Sequence, residues 1–279
     1  MKKGISIWAF PSGMDIPTCI RTAKAAGFDG IELALNETGA LGLEASESEL
    51  RGYRAVADEA GVEITSLATG LYWTYSLTAS SAAVRAKAKD IVKIQLDAAS
   101  VLGVDAILVV PGAVGVDFIP NCEVIPYDVA YGRASEAIAE LAPHAADRKV
   151  CIGVENVWNK FLTSPLEMRG FIDAIGSPWV GSYFDAGNVL ASGYPDHWIR
   201  ILRERIKRVH VKDFRRSVGT LDGFVDLLAG DVDFPAVTQA LRDIGYDGWV
   251  TAEVFPYGRF PEHTVFQASH AMDAILGRG

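Results

Sequence analysis

The sequence predicts an α/β protein, a single (β/α)8 TIM barrel over residues 1–279, and three observations carry that expectation. Short apolar runs rich in β-branched residues recur eight times, and a helical pattern follows each. Several runs come directly after a glycine that stops the preceding helix, at Gly27, Gly61, Gly103 and Gly245. Four consecutive later runs each end in an acid or a histidine, at the end of the strands where such barrels gather their chemistry.

In chain order, the first strand is read at 4–9 (GISIWA) and its helix at 16–26. The next pairs are 29–34 with 47–60, 62–68 with 81–102, and 105–110 with 130–147. The second half continues as 149–155 with 165–175, 179–184 with 196–205, 206–211 with 234–244, and 248–254 with 262–276. A run such as AILVV, apolar on both faces, suits a parallel sheet enclosed by helices. A doubly wound open sheet is the rival topology, but no G-x-G-x-x-G opens a helix. No linker, low-complexity stretch or repeat beyond the βα period divides the chain.

Hydrophobic residues make up 49% and charged residues 22%, enough apolar material for a sizeable core. The formal net charge of −9, with no cluster of Lys and Arg larger than a pair, argues against nucleic acid as a partner. Cys19, Cys122 and Cys151 are odd in number and far apart, so neither a disulfide framework nor a cysteine zinc site is expected, and a cytoplasmic location fits. The apolar start meets Pro11 without a cleavage signal and is read as a strand. No run approaches the ~20 apolar residues of a membrane span.

The strand ends carry the functional expectation. The fifth strand ends in Glu155-Asn156, the sixth in Asp185-Ala-Gly-Asn188, the seventh in His210-Val-Lys212-Asp213 and the eighth in Glu253. Three carboxylates converging at a barrel mouth repel one another and are costly to bury, and a divalent cation relieves both problems. Three oxygen donors and one imidazole favour Mn2+, with Mg2+, Co2+ and Zn2+ as alternatives. Taken singly, Asp185 reads equally well as an Asx turn and His210 as a core histidine; the four together make the metal site.

At these residues the sequence resembles the xylose isomerase-like sugar isomerase and epimerase superfamily. The resemblance covers nearly the whole chain and is most specific at VENVWNKFLTSPLEM (154–168), SPWVGSYFDAGNVLASG (177–193), RVHVKDF (208–214), GDVDFPAV (230–237) and IGYDGWVTAEVF (244–255). These segments look most like L-ribulose-5-phosphate (L-xylulose-5-phosphate) 3-epimerases and hexulose-6-phosphate isomerase-like proteins. The resemblance implies a metal held by Glu155, Asp185, His210 and Glu253. It also implies that Glu155 and Glu253 act as opposed acid and base, inverting C3 of a ketose through a cis-enediolate. Asn188 stands where epimerases of free ketoses carry His, which favours phosphorylated pentuloses. The resemblance implies that Arg216 matches the family's substrate-contacting Arg, with Arg215 as the alternative.

Further substrate contacts are expected from Glu32, Trp8, Lys212 and Asp213, each weighed against a purely structural role. Phe10, Tyr72, Trp73 and Trp158 read either as an apolar wall or as rim packing. The long loops 111–127 and 214–229 read as lids or as contacts of a homo-oligomer. The same metal site would also serve a 1,2-aldose–ketose isomerase, or a keto-sugar or keto-glycoside epimerase or dehydratase. A sugar-sensing module would need no opposed carboxylates. A three-metal DNA-repair enzyme would need more than the five histidines present and a basic groove.

Overall fold

The computed structural model describes residues 1–278. Seven strands come first in the chain: β1 (Lys2–Ser6), β2 (Gly30–Leu35), β3 (Glu63–Thr69), β4 (Ala106–Val109), β5 (Cys151–Glu155), β6 (Val180–Asp185) and β7 (Ile206–Val211). A short antiparallel hairpin, β8 (Asp213–Phe214) with β9 (Phe224–Val225), precedes the last strand, β10 (Trp249–Ala252). The barrel closes in the order β1-β10-β7-β6-β5-β4-β3-β2, and every neighbouring pair runs parallel. The predicted closed α/β barrel is therefore the observed fold.

The helices are α1 (Ile16–Ala25), α2 (Glu47–Ala60), α3 (Ala82–Leu102), α4 (Tyr127–Arg148), α5 (Pro165–Ile175), α6 (Ala186–Val189), α7 (Pro195–Leu202), α8 (Phe234–Asp243) and α9 (His263–Leu276). Their starts are set by short polar caps: Ser46, Ser81 and Ser164 each accept from the backbone N–H three residues on. Their stops follow the expected glycines, since Gly27, Gly61, Gly103 and Gly245 all have positive φ. Neighbouring helices contact one another around the barrel, and their inner faces join the strands in one buried cluster.

Two differences from the sequence reading have local causes. The first strand ends at Ser6 rather than at residue 9, because Ser6 caps a 3-10 turn over Ile7–Ala9. The apolar run continues through that turn, so hydrophobicity alone does not mark the end. The tiny helix α6 was not expected; Asp185 caps it by accepting from Asn188 N–H at 2.6 Å.

Alternation along β7 decides what faces the interior. Arg208, His210 and Lys212 all point inward, one above another. Arg208 lies at the bottom, bonded to the Thr65 carbonyl at 3.0 Å and to Asp105. His210 is fully buried in the middle, and Lys212 sits at the top.

Candidate metal centre and active site

Adjacent strands β5, β6, β7 and β10 deliver Glu155, Asp185, His210 and Glu253 to one place. One donor atom from each lies within 4.8 Å of the others. The register explains the convergence: Asp185 and His210 are direct cross-strand partners, and Glu253 follows the residue paired with Val211.

His210 is oriented from below. Its Nε2 lies 3.0 and 3.1 Å from the two carboxylate oxygens of buried Glu32. Glu32 also accepts from Ser66 Oγ at 2.8 Å and from the Tyr183 hydroxyl. With Nε2–H donating downward, the Nδ1 lone pair faces Glu253 at 3.0 Å and Glu155 at 3.5 Å. Lone pair facing carboxylate is repulsive unless a proton or a cation stands between.

Three buried atoms lack a hydrogen-bond partner here: Asp185 Oδ2, His210 Nδ1 and Glu253 Oε2. Lys212 Nζ comes within 2.7 Å of Glu253 Oε2 and 3.4 Å of Asp185 Oδ2, close in distance but without hydrogen-bond alignment. Buried polar atoms are rarely left unsatisfied, and three of them turned to one point describe ligands for a cation. Four carboxylates face one ammonium and one imidazole, so the negative excess matches a divalent ion. The donor set fits a metal.

The electrostatics agree. Burial, reinforced by the Glu253 carboxylate, pushes Glu155 up to about 7, and burial pushes Asp185 up to about 6. Burial acts on Glu253 in the same direction but is outweighed by Lys212 and His210, which hold it well below the usual carboxylate range. Lys212 is buried yet firmly protonated, because Asp185 and Glu253 outweigh its desolvation. Glycine at 187 permits this approach: a Cβ there would meet Lys212 Cγ at 2.4 Å and its carbonyl oxygen at 2.6 Å.

The expected site residues divide between the pocket and the scaffold. A cavity of about 360 Å3 above the cluster is lined by Trp8, Trp73, Glu155, Asn188, Lys212 and Glu253, among others. Asn188 is also held in place: its side chain donates to the Asn156 carbonyl at 3.0 Å, and its own carbonyl accepts from Trp158 Nε1 at 3.0 Å. Glu32 lies beneath the cluster and grips His210, with no surface in the cavity. That corrects its expected role as a substrate contact.

Asp213 is corrected likewise. One residue past Lys212, it points outward and accepts backbone N–H groups from Phe214, Gly230 and Val232, pinning the following loop. Arg216 lies over the Tyr194 ring, 5.2 Å from its centroid, and lines no cavity at the cluster. Phe10 and Tyr72 are buried packing residues.

Asn156 was missed. It donates to the Asp185 carbonyl at 2.8 Å and accepts from Asp185 N–H at 2.9 Å, locking the ends of β5 and β6 together. Its place directly after Glu155 was the available signal.

A parallel eight-stranded barrel with three acids and a histidine on adjacent strand ends defines a class: barrels whose strand C-termini could hold a metal ion. Within it, the chain belongs to the xylose isomerase-like TIM barrel family, whose profile matches residues 20–275. It is 26% identical over 289 aligned residues to SgbU of Escherichia coli K12, provisionally named an L-ribulose-5-phosphate 3-epimerase, covering 98% of this chain and 96% of that one. It is 24% identical to the L-ribulose-5-phosphate 3-epimerase UlaE of Salmonella paratyphi B, over 99% and 94% of the two chains. A crystal structure of D-psicose 3-epimerase, obtained in the presence of D-fructose, shares the fold with a TM-score of 0.83. That pair is 22% identical over 99% of this chain and all of the other. The isomerase class expected from the sequence agrees with these relatives. No helix among the described residues is long and apolar enough to cross a membrane.

Proposed function

We propose that this chain is a metal-dependent 3-epimerase of a ketose or ketose derivative. The observation that carries the reading is that Glu155 and Glu253, from either side of the β6–β7 pair, converge where Asp185 Oδ2 and His210 Nδ1 also point. Glu155, Asp185, His210 and Glu253 would hold one divalent ion, and this donor set suits Mn2+ best. Bound there, such an ion supplies Lewis-acid polarisation of a carbonyl and neutralises the converging charge.

The chain's own residues handle the proton. Lys212 lies against the Glu253 carboxylate and fixes its position, and Glu253 and Glu155, on either side of the cluster, would accept and return the proton. For a ketose with its C3–H toward Glu253, Glu253 removes the proton and Glu155 delivers one to the opposite face, inverting C3. The opposite epimer reverses the roles. Trp8, Trp73 and Phe255 wall the cavity and shield the carbanionic stage from water.

The test is solvent deuterium exchange in metal-loaded protein. E155Q and E253Q are each expected to lose C3 exchange for one epimer of the substrate. C3 exchange of the same epimer persisting in both variants would overturn the assignment, and exchange confined to C1 would indicate a 1,2-isomerase instead. The free cysteines support a reducing cytoplasm. Exposed Phe255, Phe260 and Leu228 support a homo-oligomer, which light scattering would test.

A further inference from the structure

The cavity over the carboxylates does not end at the sugar. A second hollow, about 570 Å3, opens beside the first, and the two share Phe118, Val157, Trp158, Asn188 and Leu221. Ligand sites begin at roughly 300 Å3, so the inner hollow alone accommodates a ketose and the outer one is surplus to it. The partition between them is built rather than accidental. Trp158 is packed against Phe214 and Phe224, each at 5.2 Å between ring centroids, and Phe118 is set edge-on to Trp73 at 5.2 Å.

The chemistry of the outer hollow is specific. Phe161, Leu162, Val189 and Trp198 give it apolar walls, with hydroxyls from Ser192 and Thr220. Its one cation, Lys160, is paired with Asp117 at 2.5 Å, and Asp222 leaves the lining net negative. The two loop arginines are engaged elsewhere, Arg215 with the Ala229 carbonyl at 3.2 Å and Arg216 with Tyr194. A phosphate dianion needs free cationic donors or several converging N–H groups. This hollow offers it carboxylates instead.

We propose that the substrate is a ketose whose end remote from the carbonyl carries an uncharged ring, a second sugar or an aryl group, seated in the outer hollow against Trp158. The inference rests on the epimerase reading and deepens it: the substrate is extended and uncharged, not phosphorylated.

Four probes of one ketose test it on the metal-loaded protein: D-fructose, D-fructose 6-phosphate, isomaltulose (a glucosyl group on O6) and 6-O-benzyl-D-fructose. Calorimetry reads binding, and proton NMR in deuterium oxide reads C3 exchange. At least one ring-bearing ketose is expected to bind about tenfold more tightly than D-fructose, as burial of one stacked ring would give. The 6-phosphate should gain nothing over D-fructose, and the better of the two ring-bearing ketoses identifies the ring as sugar or aryl. Leu221 is shared by both hollows and partly exposed, so L221K should fold, weaken the ring-bearing ketose severalfold and strengthen the 6-phosphate. Tighter binding of the 6-phosphate than of both ring-bearing ketoses overturns the inference while leaving the epimerase reading intact. Equal binding of D-fructose and the ring-bearing ketoses does the same. No binding and no exchange with any of the four overturns both.

Discussion

Glu32→Gln separates the residue that orients His210 from the four residues proposed to hold the metal. Glu32 has no surface in the cavity, and it receives His210 Nε2–H, Ser66 Oγ–H and the Tyr183 hydroxyl on its two oxygens. The amide keeps the volume but offers one acceptor oxygen where two served, and its NH2 must face a donor. A hydrogen bond to a charged group is worth about 1.5–3 kcal/mol, and losing it frees the imidazole to rotate or change tautomer. Loss of such an outer partner usually weakens metal binding about 10–100-fold, or about 1.4–2.8 kcal/mol. Titrating metal-free E32Q with Mn2+ in a calorimeter reads that change directly. Glu63→Gln, at the exposed pair with Lys2, serves as a control that should leave Mn2+ binding unchanged. Wild-type affinity in a folded E32Q protein would refute the argument that Glu32 fixes Nδ1 toward the ion.

Other expectations follow from the same contacts. In the metal-free protein, the raised Glu155 and Asp185 hold protons that the unfolded chain has already released, so stability falls as pH rises from about 4 through 7. Glu253 and Glu32 are held low and titrate below that window, giving no compensation within it. Melting of the metal-free protein should therefore drop between about pH 5 and pH 8, and saturating Mn2+ should remove most of the drop; a rise over that interval would contradict the sign. Asp213→Ala leaves three backbone N–H groups without their acceptor and should cost about 2–4 kcal/mol in urea unfolding, with faster proteolysis in the 214–229 loop. A loss below about 0.5 kcal/mol would mean that water replaces the carboxylate. Burial pushes the Cys19 and Cys151 thiols up to about 12, so native-state alkylation near pH 8 should label Cys122 alone, as peptide mapping would read.

Much of the site is legible in the sequence because strand ends are legible. The β-branched runs locate β5, β6, β7 and β10, and the acids and histidine at their ends need no further geometry to be grouped. Lys212 and Asp213 show where legibility stops. Both follow His210, and both read as candidates; alternation along the strand sends Lys212 inward with His210 and Asp213 outward to the 230–232 backbone. That parity could have been read from the sequence once His210 was taken to face the interior. The placement of Arg216 could not, since it depends on the path of a long loop and on Tyr194, more than twenty residues earlier in the chain. Glu32 was found as a buried strand acid, but whether it faces substrate or ligand depends on its depth in the barrel, which a one-dimensional pattern does not carry. The outer hollow was equally invisible: Phe118, Trp158 and Leu221 come from three separate loops and meet only when the barrel closes.

The adjacency of the four strands that carry the cluster also divides the rim into two arcs with different tolerance of change. The arc from β5 through β6 and β7 to β10 is committed, because each strand end holds a member of the charged cluster and Asn156 ties two of them together. The arc from β1 through β2 and β3 to β4 contributes walls, through Trp8, Trp73, Leu108 and Val110, while its one acid in the network, Glu32, lies below the surface that a substrate meets. Side chains that wall the cavity from that second arc can exchange aromatic for polar groups without touching a member of the charged cluster. The wall over the cluster can thus be altered from one side of the mouth without moving the residues that carry the charge.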